Sequence, residues 1–361
     1  MRTVIASDLH LGTASARDLL RHPGPLEVLT EAFETADRVV LLGDVLELRD
    51  SPLDDVMARA EPILRSLGQA LAGKPVTITA GNHDHEVFQD SYSRNGAAPL
   101  GLEHQIRPEA GTLLGRIAAA LPDADVTLSY PGVRIRDDVW ATHGHYLDVH
   151  NTVPAIEAVF AQMAARRSGR MQGGDPGADD YEAVLSPIYG SLHARAQRMD
   201  PGSRGGDSTS LKVLKRLREP RGRIDPFHSL LTRVIVPGAV GVANLVGTGN
   251  FSPDFSGPEL RRAGLRAIGQ VVDRLDVDAE HVVFGHTHRR GPMDGDVSAE
   301  WITPGGRRLH NTGSWVSEPF LVGSAGRKSP YWPGGVVVVE DDEDPRFQSL
   351  LGNLPEAGLD G

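Results

Sequence analysis

Short apolar runs rich in β-branched residues alternate with helix-compatible segments, and this alternation constrains the fold most strongly. Apolar runs occur at Thr3–Ser7, Arg38–Leu42 and Pro75–Ala80, and the segments between them, Leu26–Thr35 and Leu53–Ala72, fit helices. An order of strand, helix, strand, helix predicts an α/β sheet. Later apolar runs predict a mixed or second sheet: Asp125–Tyr130, Val133–Arg136, Val139–Thr142, His281–Phe284 and Gly335–Val339.

Five of these strands are followed at once by a short polar segment. The segments are Asp8–His10, Gly43–Asp44, Gly81–His85, His143–His145 and Gly285–His288. Together they hold seven of the 14 histidines in the chain. Ligands of open α/β sheets bind beyond the carboxyl ends of the strands. The five segments therefore predict one shared site.

The residue types in these segments point to metal ions. The chain has no cysteine, which excludes a thiolate metal site, a disulfide framework and a cysteine nucleophile. Imidazole, carboxylate and amide oxygen together suit transition metals of intermediate hardness, such as Mn, Fe or Zn. The candidate ligands are Asp8, His10, Asp44, Asn82, His143, His286 and His288. Seven ligands are too many for one tetrahedral ion but suit two ions that share a carboxylate, and Asp44 is the natural bridge.

The five segments, in this order, resemble the motif blocks of the calcineurin-like metallophosphoesterase superfamily. The resemblance covers residues 1–145 and 280–316. It implies an α/β fold in which a sandwich of two mixed β-sheets is flanked by helices (αββα). It also implies hydrolysis of a phosphoester by in-line attack of a metal-bound hydroxide, with two transition-metal ions as cofactors: Mn, Fe or Zn, of which we favour Mn.

The resemblance also assigns a role to each position. It places Asp8, His10, Asp44 and His288 on one metal, and Asp44, Asn82, His143 and His286 on the other. His83 would be the catalytic general acid or a transition-state stabiliser that contacts the leaving oxygen, and Asp84 would orient its ring. Some lipid-processing members carry arginine at the position of His83 and aspartate at that of His145. His145 is then either a substrate contact or a residue that packs against His143.

Each of these residues also has a purely structural interpretation. An aspartate after a strand, such as Asp8 or Asp44, is commonly a helix N-cap. Gly81–Asp84 could form an ordinary turn, and the two histidines His286 and His288 could lie on one face of a strand. A structural interpretation of the whole set needs five independent coincidences, so we favour the metal site.

The motif blocks and the composition together predict that the chain has three parts. Residues 1–145 with 280–340 form the metallophosphoesterase core, 146–279 form a mainly helical insertion or cap, and 341–361 form an acidic, disordered tail. The insertion contains four helix-compatible segments: Val153–Arg167, Tyr181–Met199, Leu211–Arg218 and Pro258–Leu275.

The charge and hydropathy of the chain limit the kinds of binding partner that we expect. A net charge of −11 argues against a duplex-DNA binder, so we do not expect a nucleic-acid partner. Ten basic and four acidic residues in Arg195–Arg233 give that stretch a net charge of 10 − 4 = +6, which suits either an anionic substrate or a solvated helix face. The apolar segment Val234–Val246 is too short to span a bilayer. It suits a buried helix, a dimer contact or a membrane-surface contact.

Three alternatives to a general phosphohydrolase follow from these observations. The first is a pyrophosphatase or phosphodiesterase that acts on a lipid-linked or nucleotide-linked substrate. The second, from another class, is a metal-free binding scaffold on the same fold. The third is a nuclease of the same superfamily, which needs a nucleic-acid-binding surface that only Arg195–Arg233 offers. The absence of cysteine, of a signal-type stretch and of a long apolar run predicts a cytoplasmic protein. The resemblance implies a phosphorylated small-molecule substrate, and a basic stretch followed by an apolar segment also suits a lipid-linked one.

Overall fold

The computed structural model describes residues 1–94, 99–152, 156–171, 175–200 and 257–353. The chain divides into two compact units: Met1–His145, Tyr189–Gly205 and Asp276–Gly361 form the first, and Tyr146–Ile188 with Gly206–Leu275 form the second. Residues 189–200, which the sequence placed in the insertion, thus belong to the first unit. The cap role of the insertion stays a prediction.

Three features predicted from the sequence lie wholly or mostly outside the described residues. They are the helix Leu211–Arg218, the apolar segment Val234–Val246 and most of the basic stretch Arg195–Arg233. None of the helices in the described ranges is both long enough and apolar enough to cross a membrane.

The secondary structure follows the predicted alternation. The strands are β1 (Thr3–Ala6), β2 (Arg38–Leu42), β3 (Pro75–Thr79), β4 (Glu103–Ile106), β5 (Asp125–Arg136), β6 (Val139–Thr142), β7 (His281–Phe284), β8 (Arg290–Gly291), β9 (Arg308–Thr312), β10 (Gly335–Val339) and β11 (Arg346–Ser349). The helices are α1 (Pro23–Glu34), α2 (Leu53–Leu71), α3 (Glu86–Arg94), α4 (Leu113–Ala120), α5 (Ile156–Ser168), α6 (Ala178–Ala196), α7 (Gly257–Arg274) and α8 (Pro319–Val322). Helices α5 and α7 lie in the second unit, and α6 begins in the second unit and ends in the first.

The strands form two mixed sheets that share β5. The strand order is β11-β10-β1-β2-β3-β5-β6-β7-β9-β8, with β4 also paired to β5. Residues Asp125–Leu128 of β5 pair with β3, and Gly132–Arg136 pair with β6. The two predicted strands Asp125–Tyr130 and Val133–Arg136 are therefore one strand that passes from one sheet to the other. The predicted sandwich of two mixed sheets is confirmed.

Two apolar cores bury both faces of the central strands. In β1, Val4 faces the core that also contains residues of α1, α2 and α4, whereas Ile5 faces the core between the sheets with Val40 and Val283. Successive side chains of a strand point to opposite faces, so a strand buried on both faces reads as a continuous apolar run. Because β1, β2 and β3 run parallel, their carboxyl ends lie along one edge of the sheet.

The predicted disordered tail is wrong for the residues up to 353. Strand β11 pairs antiparallel with β10, and Leu351 is fully buried. Gly334 makes this packing possible, because a Cβ there would lie 2.1 Å from Leu351 Cγ. Arg290 Nη1 also donates to Ser349 Oγ at 2.8 Å. Strand pairing and one buried leucine thus outweigh the acidic composition; residues 354–361 lie outside the described part of the chain.

Candidate dinuclear metal centre

The predicted ligands converge at the carboxyl edge of the central strands. In a first group, His288 Nε2 lies 3.2 Å from Asp8 Oδ1 and 3.3 Å from His10 Nε2. In a second group, Asn82 Oδ1 lies 3.2 Å from His143 Nε2 and 3.0 Å from His286 Nδ1. The loops after β1, β3, β6 and β7 each contribute at least one of these side chains.

Asp44 belongs to both groups. Its Oδ2 lies 3.7 Å from His10 Nε2 and 3.4 Å from His143 Nε2. One carboxylate oxygen therefore stands between the two sets of donors, where a bridging ligand is expected.

The backbone of the ligand loops is held in an unusual conformation. Among the described residues, eight other than glycine have positive φ, and five of these are candidate ligands: Asp8, His10, Asp44, His286 and His288. Such conformations cost about 1–3 kcal/mol each and tend to occur at functional sites. Backbone hydrogen bonds hold the loops: Asp8 N–H donates to the Gly43 carbonyl at 3.0 Å, and His10 N–H donates to the Asp44 carbonyl at 2.9 Å. Gly43 itself has φ +82°, and a Cβ there would lie 2.5 Å from the His143 ring.

Three of the candidate imidazoles are oriented by an acceptor on their outer nitrogen. Nδ1 of His143 donates to the Leu42 carbonyl at 3.0 Å. Nδ1 of His10 donates to Glu47 Oε2 at 3.1 Å, and Nδ1 of His288 donates to Glu318 Oε2 at 2.7 Å. With Nδ1 protonated, each ring directs the lone pair of Nε2 into the cluster, the tautomer that a metal requires.

Sequence reasoning missed both carboxylates that orient these rings. Glu47 lies three residues after Asp44, so its proximity in sequence was a usable signal. Glu318 lies 30 residues after its partner His288, and nothing in the sequence pattern singles it out.

The donor set fits a cation. Asn82 Oδ1 faces His143 Nε2 and His286 Nδ1, so acceptor faces acceptor unless a cation stands between them. Rotating the amide would turn its nitrogen to these acceptors and its oxygen to Arg49 Nη1 at 3.0 Å. A bound metal would favour the first orientation, in which the amide oxygen is a ligand.

The electrostatics of Asp44 and His143 also favour a cation. Burial opposes the ionisation of Asp44, but the neighbouring imidazoles, His143 first, hold its pKa well below the usual range. Burial likewise opposes the charging of His143, yet Asp44 raises the pKa of His143 to about 9. A buried aspartate that stays ionised attracts positive charge, whether protons or metal ions.

His83 lies at the rim of the cluster. Its Nδ1 donates to Glu47 Oε2 at 2.8 Å, and its side chain is 26% exposed. Its ring lines a small pocket together with Arg49 and Tyr189. Glu47 thus holds both His83 and the candidate ligand His10.

The predicted role of Asp84 in orienting His83 is wrong. Asp84 is fully buried and accepts the backbone N–H groups of Gly81 and Val45, both at 2.7 Å. Burial and the nearby Asp44 raise the pKa of Asp84 to about 6. Asp84 therefore ties the loops after β2 and β3 together, and it is Glu47 that accepts from His83 Nδ1.

His145 is buried beside the centre. Its Nε2 lies 3.0 Å from the Tyr130 hydroxyl, and its ring centroid lies 5.6 Å from that of His143. Burial lowers the pKa of His145 well below its usual value. These contacts favour packing against His143 over a substrate contact.

Comparison with known proteins identifies the family of this chain. The profile described as calcineurin-like phosphoesterase matches residues 1–181, half of the chain. The chain belongs to the calcineurin-like phosphoesterase family. This phosphoesterase carries His286 and His288 beyond the matched range, and the fold brings both to the ligands within it.

Two other comparisons add little to the family assignment. No curated protein matches this phosphoesterase. Among solved structures, a dimetal phosphatase from Danio rerio is similar at 11% identity over 97% of this chain and 99% of that chain. The TM-score of 0.33 is too low to support an argument.

Proposed function

We propose that this phosphoesterase is a dinuclear-metal phosphohydrolase that cleaves its substrate by a single in-line attack, without a covalent enzyme intermediate. The observation that carries the proposal is the position of Asp44 Oδ2 between the two donor groups. When bound, two metal ions, Mn in preference to Fe or Zn, supply an acidified water and neutralise charge on the phosphoryl group.

The protein residues hold and orient the reacting groups. Asp8, His10, Asp44 and His288 hold one metal, and Asp44, Asn82, His143 and His286 hold the other. The hydrogen bond from His83 Nδ1 to Glu47 leaves His83 Nε2 for the pocket side. There it donates a proton to the leaving oxygen, as a general acid.

The remaining candidate functions are less well supported. A metal-free scaffold would be expected to have lost ligands, yet six of the seven predicted ligands lie in three overlapping clusters, and the seventh, Asn82, lies 3.2 Å from His143 Nε2. A pyrophosphatase or phosphodiesterase on a lipid-linked or nucleotide-linked substrate uses the same centre, so only substrates distinguish it.

The test is Asp44→Asn in protein reconstituted with Mn²⁺. Loss of a residue that only orients a ligand costs about 10- to 100-fold, so loss of the bridge should lower the turnover of aryl phosphates by more than about 100-fold. Asp54→Asn, at a 91%-exposed aspartate of α2, is the matched control and should keep wild-type turnover. Wild-type turnover in Asp44→Asn, or turnover that survives removal of all metal, would contradict the proposal.

A further inference from the structure

Helix α6 contains a glycine, Gly190, that the fold does not require. A glycine inside a helix is less stable than an alanine, so it usually has a packing or functional reason. Gly190 does not have a positive φ. Within the described ranges, and apart from the adjacent residues and the backbone of α6, no atom lies within 4 Å of the position that its Cβ would take. Neither backbone conformation nor close packing therefore explains the glycine.

Gly190 lies on the pocket that also contains the candidate general acid. His83, His85, Glu86 and His193 line this pocket together with Gly190. All of them belong to the first unit. His193 follows Gly190 by three residues, so both lie on the same face of α6. The missing side chain thus leaves space beside His83.

The chemistry of the proposed function assigns this space to the leaving group. In that function, on which this inference rests, His83 gives its proton to the leaving oxygen. The substituent on that oxygen must then lie next to His83. Gly190 leaves room for it there.

The walls of the pocket suit a planar ring. His83 and His193 are both partly exposed and present imidazole rings to the pocket. A glycine also lets a ligand approach the helix backbone closely. Two further rings of the lining, those of His85 and Tyr189, are buried with their centroids 5.3 Å apart. Aromatic rings attract one another when they stack or meet edge to face, so this lining favours an aromatic ligand.

We propose that Gly190 and His193 form a subsite for the leaving group of the substrate, and that this group carries a planar aromatic ring. Gly190 determines specificity, because a side chain at this position would occupy the space that the ring needs. His193 provides one face against which the ring packs.

The first experiment compares a leaving group that has a ring with one that has none. For Gly190→Leu in Mn²⁺-loaded protein, kcat/KM on 2-naphthyl phosphate should fall about 10- to 100-fold, the range of an altered contact in an apolar pocket. On acetyl phosphate it should stay close to wild type. Gly190→Ala should show a smaller loss of the same selectivity. Gly24→Leu is the matched control, because Gly24 is a glycine of α1 that likewise has nothing within 4 Å of its Cβ position.

The second experiment separates this role from a structural one. Alanine favours a helix over glycine, so Gly190→Ala should raise the thermal midpoint by about 1 °C in a chain of this length. The same variant should lose activity on 2-naphthyl phosphate. A lower midpoint would show that position 190 is packed in the folded chain, and equal losses on both substrates would show a general effect on catalysis. Either result would overturn the subsite.

The third experiment measures binding without turnover. In titration calorimetry, 2-naphthylphosphonate should bind the Mn²⁺-loaded wild type more tightly than methylphosphonate does. Only the naphthyl compound should bind more weakly to Gly190→Leu, by about 10-fold. Equal affinities of the naphthyl compound for wild type and variant would contradict the proposal. If the wild type hydrolyses neither ester, the proposed function fails, whereas the two phosphonates still test the subsite.

Discussion

At the scale of single residues, one carboxylate links metal binding to proton transfer. Glu47 accepts from Nδ1 of both His10 and His83. Burial opposes its ionisation, but His83 and His10 hold the pKa of Glu47 well below the usual range. It therefore stays charged, fixes the tautomer of the candidate ligand His10 and orients the ring of the candidate general acid His83.

His83→Ala tests the division of roles around Glu47. A lost general acid costs about 100- to 10,000-fold in rate, and less when the leaving group needs no proton. We therefore expect a large fall of kcat on phenyl phosphate, a smaller fall on p-nitrophenyl phosphate and an unchanged metal content. His83 also lies near His10 and Asp44. Loss of metal from the variant would instead make His83 a ligand.

The candidate ligands were predictable from sequence, but their supporting residues were not. A donor directly after a buried strand can be placed at the sheet edge from pattern alone, which is how Asp8, Asn82 and His143 were found. Tyr189 reaches the pocket only because α6 ends in the first unit. Asp84 was assigned wrongly because adjacency in sequence does not reveal where a side chain points.

At the scale of elements, strands buried on both faces were the easiest to predict. β2, β6, β7 and β10 have the predicted bounds. β4 and β11 were not predicted, because their sequences EHQI and RFQS are polar and they form by pairing with β5 and β10. Pairing of this kind depends on contacts distant in sequence, which local patterns do not carry.

Leu351→Ala tests whether the end of the described chain is part of the core. Truncating a fully buried leucine costs about 2–5 kcal/mol. We expect a loss of that size in the free energy of unfolding by urea. Ile302→Ala, at a 47%-exposed position, should cost less than about 1 kcal/mol. Equal, small losses in both variants would indicate that this segment is disordered, as the sequence predicted.

At the scale of the whole molecule, buried histidines should make the protein sensitive to acid. Burial lowers the pKa of His310 to about 3, and burial with the nearby Arg274 lowers that of His150 to about 4. In the unfolded chain each imidazole has a pKa of about 6.5. Between the two values the unfolded state binds more protons, so the free energy of unfolding falls as the pH falls.

His150→Gln isolates one of these contributions. Nε2 of His150 lies 2.8 Å from the Tyr181 hydroxyl, and glutamine can keep a hydrogen bond there without titrating. In metal-free protein, the loss of unfolding free energy between about pH 7 and pH 5 should shrink by about 2 kcal/mol. The same pH dependence in wild type and variant would show that folding does not lower the pKa of His150.

The cytoplasmic location and a contact through Val234–Val246 stay predictions.

Anomalous diffraction from crystals of the Mn²⁺-loaded protein tests the central claim most directly. We predict two peaks separated by about 3.5–4 Å. Asp44 should bridge them, with Asp8, His10 and His288 on one and Asn82, His143 and His286 on the other. A single peak, or peaks away from Asp44, would contradict the dinuclear centre.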